Sequence, residues 1–251
     1  MYRTKYTKMT KFCFAVAGAM MLSFSIKAQD TTGMINQSAM SIRSQAPIRK
    51  PYWGNSLDGM IFSASRMDPK LSNQSQAVRF SMFLNIGFTY NYNFCNAFGI
   101  YTGLDVKNIG YITKNQLLGI GEQTIKRRVY TIGLPVGLRL GNMKKRDYFF
   151  LGGGLDLAFH YKEKEWIEKR SSKTKFSEWF SSRNETLMPY VYAGFGYHGT
   201  TIKVQYYPGS FMNQDYVSTD PVSGIMHKPY AGQKVNLILF SIGRDMKYGR
   251  K

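Results

Sequence analysis

The side chains in this sequence that could do chemistry are its histidines, its glycine clusters, a set of charges placed two apart, and one aromatic loop. His160, His198 and His227 share no ligand spacing such as His-x-x-x-His, so they predict no metal site. A phosphate cradle needs a strand, a glycine loop and then a helix. Neither Leu151-Gly152-Gly153-Gly154-Leu155 nor Gly119-Ile120-Gly121 is followed by a helical pattern. His160 with a serine such as Ser171 or Ser181 has the residue types of a base and a nucleophile. No nucleophile elbow or triad spacing accompanies them. No cofactor and no enzymatic activity are therefore expected.

The elements that position these residues follow from a period of two, which a strand with two unlike faces must show. From Arg128 to Gly141 the even positions are Tyr130, Ile132, Leu134, Val136, Leu138 and Leu140, while the odd ones include Thr131, Gly133, Pro135, Gly137 and Arg139. Residues 78–94 set Val78, Phe80, Met82, Leu84, Ile86 and Phe88 against Arg79, Ser81, Asn85, Gly87 and Thr89, with Phe83 as the exception. Residues 148–161 set Phe149, Leu151, Leu155, Leu157, Phe159 and Tyr161 against Gly152, Gly154, Asp156, Ala158 and His160. Weaker alternation at 98–107, 189–198 and 200–207, with strands near 57–66 and 234–244, brings the count to eight. The last strand is apolar on both faces, so its orientation stays open.

Connections alternate in length. Long links fall near 67–77, 112–127, 162–187 and 208–233, and short ones near Cys95-Asn96, Asn142 to Arg146 and His198-Gly199. Long external loops alternating with short periplasmic turns are the pattern of an outer-membrane barrel. The expected fold is all-β, an eight-stranded antiparallel up-and-down transmembrane β-barrel. Its apolar face points into lipid and its polar and glycine face into a narrow lumen. Aromatics at strand ends fit interfacial girdles.

Such a lumen is only wide enough for side chains to fill. The ionisable residues on the inner parity, Arg79, Asp105, Lys107, Arg139, Asp156 and Lys203, with Arg244 less firmly placed, are expected to pair there as a polar network. A wide porin channel is not expected. The loop Lys162–Leu187 carries Trp166, Arg170, Phe176, Trp179 and Phe180, aromatic and basic types that suit a recognition surface. The expected role is structural or surface-binding through the long loops. One rival reading is a lipid-modifying hydrolase or acyltransferase built on His160. Another is a soluble periplasmic ligand-binding barrel with its greasy face turned inward.

At the N-terminus, Arg3, Lys5, Lys8 and Lys11 precede an apolar or small run from Phe12 to Ile26, followed by Lys27-Ala28-Gln29. This is the shape of a signal peptide, and the run is shorter than the ~20 residues a membrane-spanning helix needs. The expected organisation is a cleaved signal peptide at 1–28, a flexible periplasmic leader at 29–56, the barrel at 57–245 and a basic tail at 246–251. Cleavage removes Cys13 and leaves Cys95 alone, so no intramolecular disulfide can form. The formal charge of the whole chain is +19, and loss of the five basic signal residues leaves +14. Such an excess favours anionic surroundings. The expected partners are outer-membrane lipid and an anionic glycolipid, a surface polysaccharide or another envelope protein. No nucleic-acid-binding motif is present, so no nucleic acid is expected.

The stretches YTIGLPVGLRL (Tyr130 to Leu140), YFFLGGGLDLAF (Tyr148 to Phe159) and YVYAGFGYHGTTIKVQYYPGSF (Tyr190 to Phe211) resemble the PorT-like family of outer-membrane β-barrel proteins. The resemblance spans roughly residues 57–245. It implies an eight-stranded barrel in the outer membrane and transfers no catalytic residues. The basic ending, Arg244 to Lys251, departs from the terminal aromatic of outer-membrane proteins generally.

Overall fold

The computed structural model describes residues 51–67, 74–117, 121–167, 172–219 and 224–247. The expected signal peptide, most of the expected leader and Arg170 lie outside these residues. The strands are β1 (Tyr52–Met67), β2 (Gln74–Ala77), β3 (Arg79–Asn93), β4 (Phe98–Leu117), β5 (Gly121–Asn142), β6 (Asp147–Ile167), β7 (Ser172–Trp179), β8 (Leu187–Tyr197), β9 (Thr200–Tyr207), β10 (Ser218–Thr219), β11 (Met226–His227) and β12 (Val235–Lys247). Eight of them, β1, β3, β4, β5, β6, β8, β9 and β12, pair antiparallel in turn, and β12 returns to β1 and closes the ring. β7 folds back on the outer half of β6, and β10 pairs with β11 apart from the ring.

Closure fixes the two faces. Ile132, Leu134, Val136, Leu138 and Leu140 are between 39% and 61% exposed, while Thr131 on the other face is fully buried. The greasy face therefore points outward, which removes the reading as a soluble barrel with a sealed apolar core. From Ile132 to Leu140 the band runs about 27 Å along the strand at ~3.4 Å per residue. A tilt of about 40° foreshortens it to roughly 20 Å, near the ~25 Å apolar belt of outer-membrane barrels.

The three short turns lie where the sequence places them. The tightest, His198-Gly199, has both residues at positive φ (50° and 88°), the conformation a two-residue hairpin needs to match strand twist. Cys95 is exposed in the turn between β3 and β4. Two of the long links, 112–127 and 162–187, are largely strand where they are described. β4 and β5 continue to Leu117 and Gly121 in unbroken register, and β6 and β7 pair from Ile167↔Ser172 to His160↔Trp179. The polar Lys, Thr, Gln and Glu residues of these extensions mask the period of two, because above the membrane both faces meet water. β1 begins at Tyr52, inside the range expected for the leader, and β12 runs to Lys247, into the expected tail.

Two bulges shift the parity. At Gly59 the register of β1 slips against both β3 and β12, so that Asp58 turns inward and Met60 outward. Between Tyr130 and Thr131 the register of β5 on β6 also slips, so that Ala158 faces in, His160 pairs outward with Tyr130, and Tyr161 is fully buried. His160 and Tyr161 thus occupy the opposite faces from those expected, since a one-residue slip exchanges the faces of everything beyond it.

Candidate functional site: a filled lumen below an outward basic face

The lumen is a packed mixture of ion pairs and aromatic rings. Lys107 Nζ lies 2.9 Å from Asp156 Oδ1 and 3.1 Å from Asp105 Oδ2, above the Tyr190 ring at 3.7 Å. Tyr207 Oη donates to the second oxygen of Asp156 at 2.6 Å, and Gln205 Nε2 donates to Tyr207 Oη at 2.6 Å. Lys203 pairs with Asp58 at 2.7 Å. Arg139 pairs with Asp245 at 3.2 Å between the rings of Tyr101 and Tyr148, and Tyr148 donates to the same carboxylate.

Five of the six residues expected in this network are therefore brought together: Asp105, Lys107, Arg139, Asp156 and Lys203. Arg79 is not among them. Along β4 the pairing is interrupted between Ala77↔Ile112 of β2 and Ile86↔Val106 of β3, and the Arg79 guanidinium donates there to the Asn108 backbone oxygen (3.3 Å) and Oδ1 (2.7 Å). It sits near enough to Lys126 and Arg128 for their charges to repel. Arg244 points outward. Sequence reasoning missed Asp58, hidden by the bulge at Gly59, and Asp245, hidden by the two-sided apolar character of β12.

The ion-pair network encloses a cavity of about 70 Å³ among Asp58, Asp105, Tyr101, Arg139, Tyr192 and Lys203. With liquid water occupying ~30 Å³ per molecule, that admits a few waters and no solute stream. Gly137 shows how tight the filling is. A Cβ there would lie 2.5 Å from Tyr192 Oη and 2.7 Å from Tyr101 Cζ, so only glycine lets both rings meet across the barrel.

The basic excess lies elsewhere, because this network holds three cations and four carboxylates. Above the apolar band β5, β6 and β7, flanked by the upper part of β4, form a blade, and the register of these three strands sorts charge by face. On the outward face the rows are Tyr130↔His160↔Trp179, Arg128↔Lys162↔Ser177, Lys126↔Lys164↔Lys175 and Thr124↔Trp166↔Lys173. The inner rows carry the acids: Val129↔Tyr161↔Glu178, Arg127↔Glu163↔Phe176 and Ile125↔Glu165↔Thr174. Arg127 Nε meets Glu163 Oε2 at 2.8 Å, and Tyr161 donates to the same oxygen at 2.6 Å. The outward rows thus hold six cations and no carboxylate, with like charges directly opposite one another. Such pairs destabilise a sheet.

The aromatic floor of this face is a stack. His160 lies on Trp179 with ring centroids 4.3 Å apart and planes 5° from parallel, and on Tyr130 at 5.7 Å. Trp166 and Trp179 therefore do reach the outward surface. Phe180 is also exposed, at positive φ, whereas Phe176 turns to the inner face and packs on Tyr161 beneath Arg183. His160 Nε2 is 2.9 Å from Ser177 Oγ, a serine other than the two considered from sequence. Ser181 donates to Glu178 instead. Among the described residues no carboxylate hydrogen-bonds the His160 ring, so the pair lacks the orienting third group of a nucleophilic site.

Residues 59–213 match the outer membrane protein beta-barrel domain family. Among solved structures the chain is similar to Neisserial surface protein A (11% identity, TM-score 0.38, covering 79% of this chain and 97% of that one). It is also similar to Ail, the attachment invasion locus protein of Yersinia pestis, solved with the heparin analogue sucrose octasulfate (14% identity, TM-score 0.37, 79% and 98% covered). A third is the outer membrane protein OprG from Pseudomonas aeruginosa (14% identity, TM-score 0.37, 80% and 98% covered). No curated protein matches the chain. With its outward apolar band, its filled lumen and this match over most of the ring, the chain belongs to the outer membrane protein beta-barrel domain family and resides in the bacterial outer membrane.

Proposed function

We propose that this barrel is a non-enzymatic surface-binding protein whose β5–β6–β7 blade engages a phosphorylated, anionic glycolipid of the outer leaflet. The observation that carries the reading is the outward face of Lys126, Arg128, Lys162, Lys164, Lys173 and Lys175. It stands immediately above residues that face hydrocarbon, at headgroup height, and it sets like charges opposite one another, while the nearby Glu122 on the same face is paired with Lys114 at 2.5 Å. A clustered anion removes that repulsion, and the Trp179–His160–Tyr130 stack supplies a surface for sugar rings. The blade faces the neighbouring lipids rather than only the medium, which favours a glycolipid over a soluble polysaccharide or a protein partner. Export through a cleaved signal at residues 1–28, and placement among PorT-like members on the glycine-aromatic stretches quoted above, belong to the same proposal.

The test is a titration of the purified barrel in detergent with lipopolysaccharide and with its dephosphorylated form, read by the fluorescence of Trp166 and Trp179. Binding is expected for the phosphorylated form and should weaken with salt. Exposed ion pairs contribute about 0.2–1 kcal/mol each, so Lys126→Gln, Lys164→Gln and Lys175→Gln together should remove about 1.5 kcal/mol, roughly tenfold in affinity. Equal binding of the dephosphorylated form, or unchanged affinity of the triple variant, would overturn the proposal.

A further inference from the structure

A second feature, independent of the basic blade, lies on the other side of the ring. β8 stays paired with β6 as far as Leu157↔Leu187, but its ladder with β9 stops at Val191↔Tyr206. Continued in the same register, the next pair on the outward face is Pro189 opposite Pro208. Neither has an N–H to donate, so the ladder cannot continue through them. The wall closes again higher up, where Asn184 bridges Met212 and the Glu185 amide donates to the Phe211 carbonyl at 3.2 Å. Between these two closures, residues 185–190 and 207–211 frame a window in the barrel wall.

Behind the window is a cavity of about 220 Å³. Its floor is Met188, Tyr207, Phe211 and Leu237, all nearly or fully buried, and its rim is Leu187 and Pro189, which face outward. Glu185 and Ser210 are the polar members of the lining. Burial, with the Asp215 carboxylate adding to it, pushes the Glu185 carboxyl above its ordinary range and so toward the neutral form.

The depth of the window says what covers it. Leu187 is level with Leu157 and Ile132, and Pro189 with Leu155 and Leu134, all of which are lipid-facing. The frame therefore opens into the outer-leaflet hydrocarbon, just below the girdle of Tyr130, His160 and Trp179. At ~3.4 Å per residue the prolines lie roughly 14 Å along the strand from that girdle. The medium at this depth is acyl chain, and the floor of the cavity is apolar.

We infer that the window between Pro189 and Pro208 admits one acyl chain of an outer-leaflet lipid into the cavity floored by Met188, Tyr207, Phe211 and Leu237. The chain enters from the side while its headgroup stays at the surface, so no wide axial channel is needed.

Photo-crosslinking tests this in vesicles of phosphatidylcholine whose palmitoyl chain carries a diazirine, with adducts located by peptide mass mapping. Adducts are expected on the inward-facing Met188, Tyr207, Phe211 or Leu237 as well as on outward residues such as Leu134 and Val136. A Cβ at Gly209 meets open space, so Gly209→Trp should fold and cap the cavity. It should abolish the inward adducts and leave the outward ones. The double variant Pro189→Val, Pro208→Val restores two ladder donors and should close the window to the same effect. Adducts confined to outward residues, or inward adducts that persist in Gly209→Trp, would overturn the inference. So would inward adducts formed only by free diazirine palmitic acid and never by the phospholipid. Replacing Lys126, Lys164 and Lys175 by Gln should leave the inward adducts intact even where it abolishes glycolipid binding, so the two proposals fail separately.

Discussion

Replacing Lys107 by Met removes the cation that holds two buried carboxylates together. Its ammonium lies 2.9 Å from Asp156 and 3.1 Å from Asp105, and the side chains of Lys107 and Asp156 are 2% and 0% exposed. Asp156 cannot turn to water, and Asp105, 14% exposed, borders only the small cavity of the lumen. A Cβ on Gly133 would collide with both, so the two oxygens already crowd one point of the lumen. Removing one partner of a buried ion pair costs about 3–5 kcal/mol. That is a large share of the ~5–15 kcal/mol that holds a domain folded. Urea unfolding in detergent, followed by gel mobility, should show that loss for Lys107→Met. Neutralising the whole trio with Lys107→Met, Asp105→Asn and Asp156→Asn should recover most of it, since replacing a complete buried ion pair by neutral groups is often close to neutral. A loss under about 1 kcal/mol for the single variant would refute the reasoning, because a buried pair broken on one side cannot be that cheap. A trio variant no more stable than Lys107→Met would refute it equally.

Three further outcomes follow from particular contacts. Gly137→Ala should cost about 1–3 kcal/mol by overpacking against the Tyr101 and Tyr192 rings, whereas Gly209→Ala, whose Cβ meets nothing, should be silent in the same unfolding assay. Lys164→Gln should stabilise the lipid-free protein, since it relieves like-charge pairs with Lys126 and Lys175 at about 0.2–1 kcal/mol each, and the gain should shrink in high salt. Glu185 has a raised folded pKa, so its ionisation costs stability as pH rises through that value. Glu185→Gln should therefore stabilise the protein at neutral pH and make no difference below the unfolded carboxyl pKa.

Much of the architecture was legible because lipid and lumen impose opposite demands on alternate residues. Tyr130 to Leu140 reads as a two-faced strand from its residues alone, and the glycines opposite the apolar set mark where rings cross a narrow interior. The eight-strand count and the turns at Cys95, at Asn142 to Arg146 and at His198 follow from the same alternation. Above the membrane that demand lapses, and within Lys162 to Leu187, read as loop, the stretches to Ile167 and from Ser172 to Trp179 continue as paired strand. Bulges were the other blind spot. Each shifts parity by one with no residue-type signal beyond a glycine, which hid Asp58 and exchanged the faces of His160 and Tyr161. The basic blade was within reach of the sequence as alternating Lys and Glu at 162–165 and Lys at 173 and 175, but only the register of three strands places those cations side by side. The Pro189–Pro208 window needed a register too, since two prolines nineteen residues apart carry no message until they stand opposite each other.

The central claim is that Leu134 and Val136 face lipid while the blade faces water. Cys13→Ser with Cys95→Ser provides a cysteine-free background, into which nitroxide labels can be placed singly at residues 134, 136 and 173 of the reconstituted protein. Labels at 134 and 136 should be relaxed by oxygen far more than by a water-soluble nickel chelate, with the reverse at 173. Relaxation at 134 and 136 dominated by the nickel chelate, or shielding there from both reagents, would contradict the outward orientation.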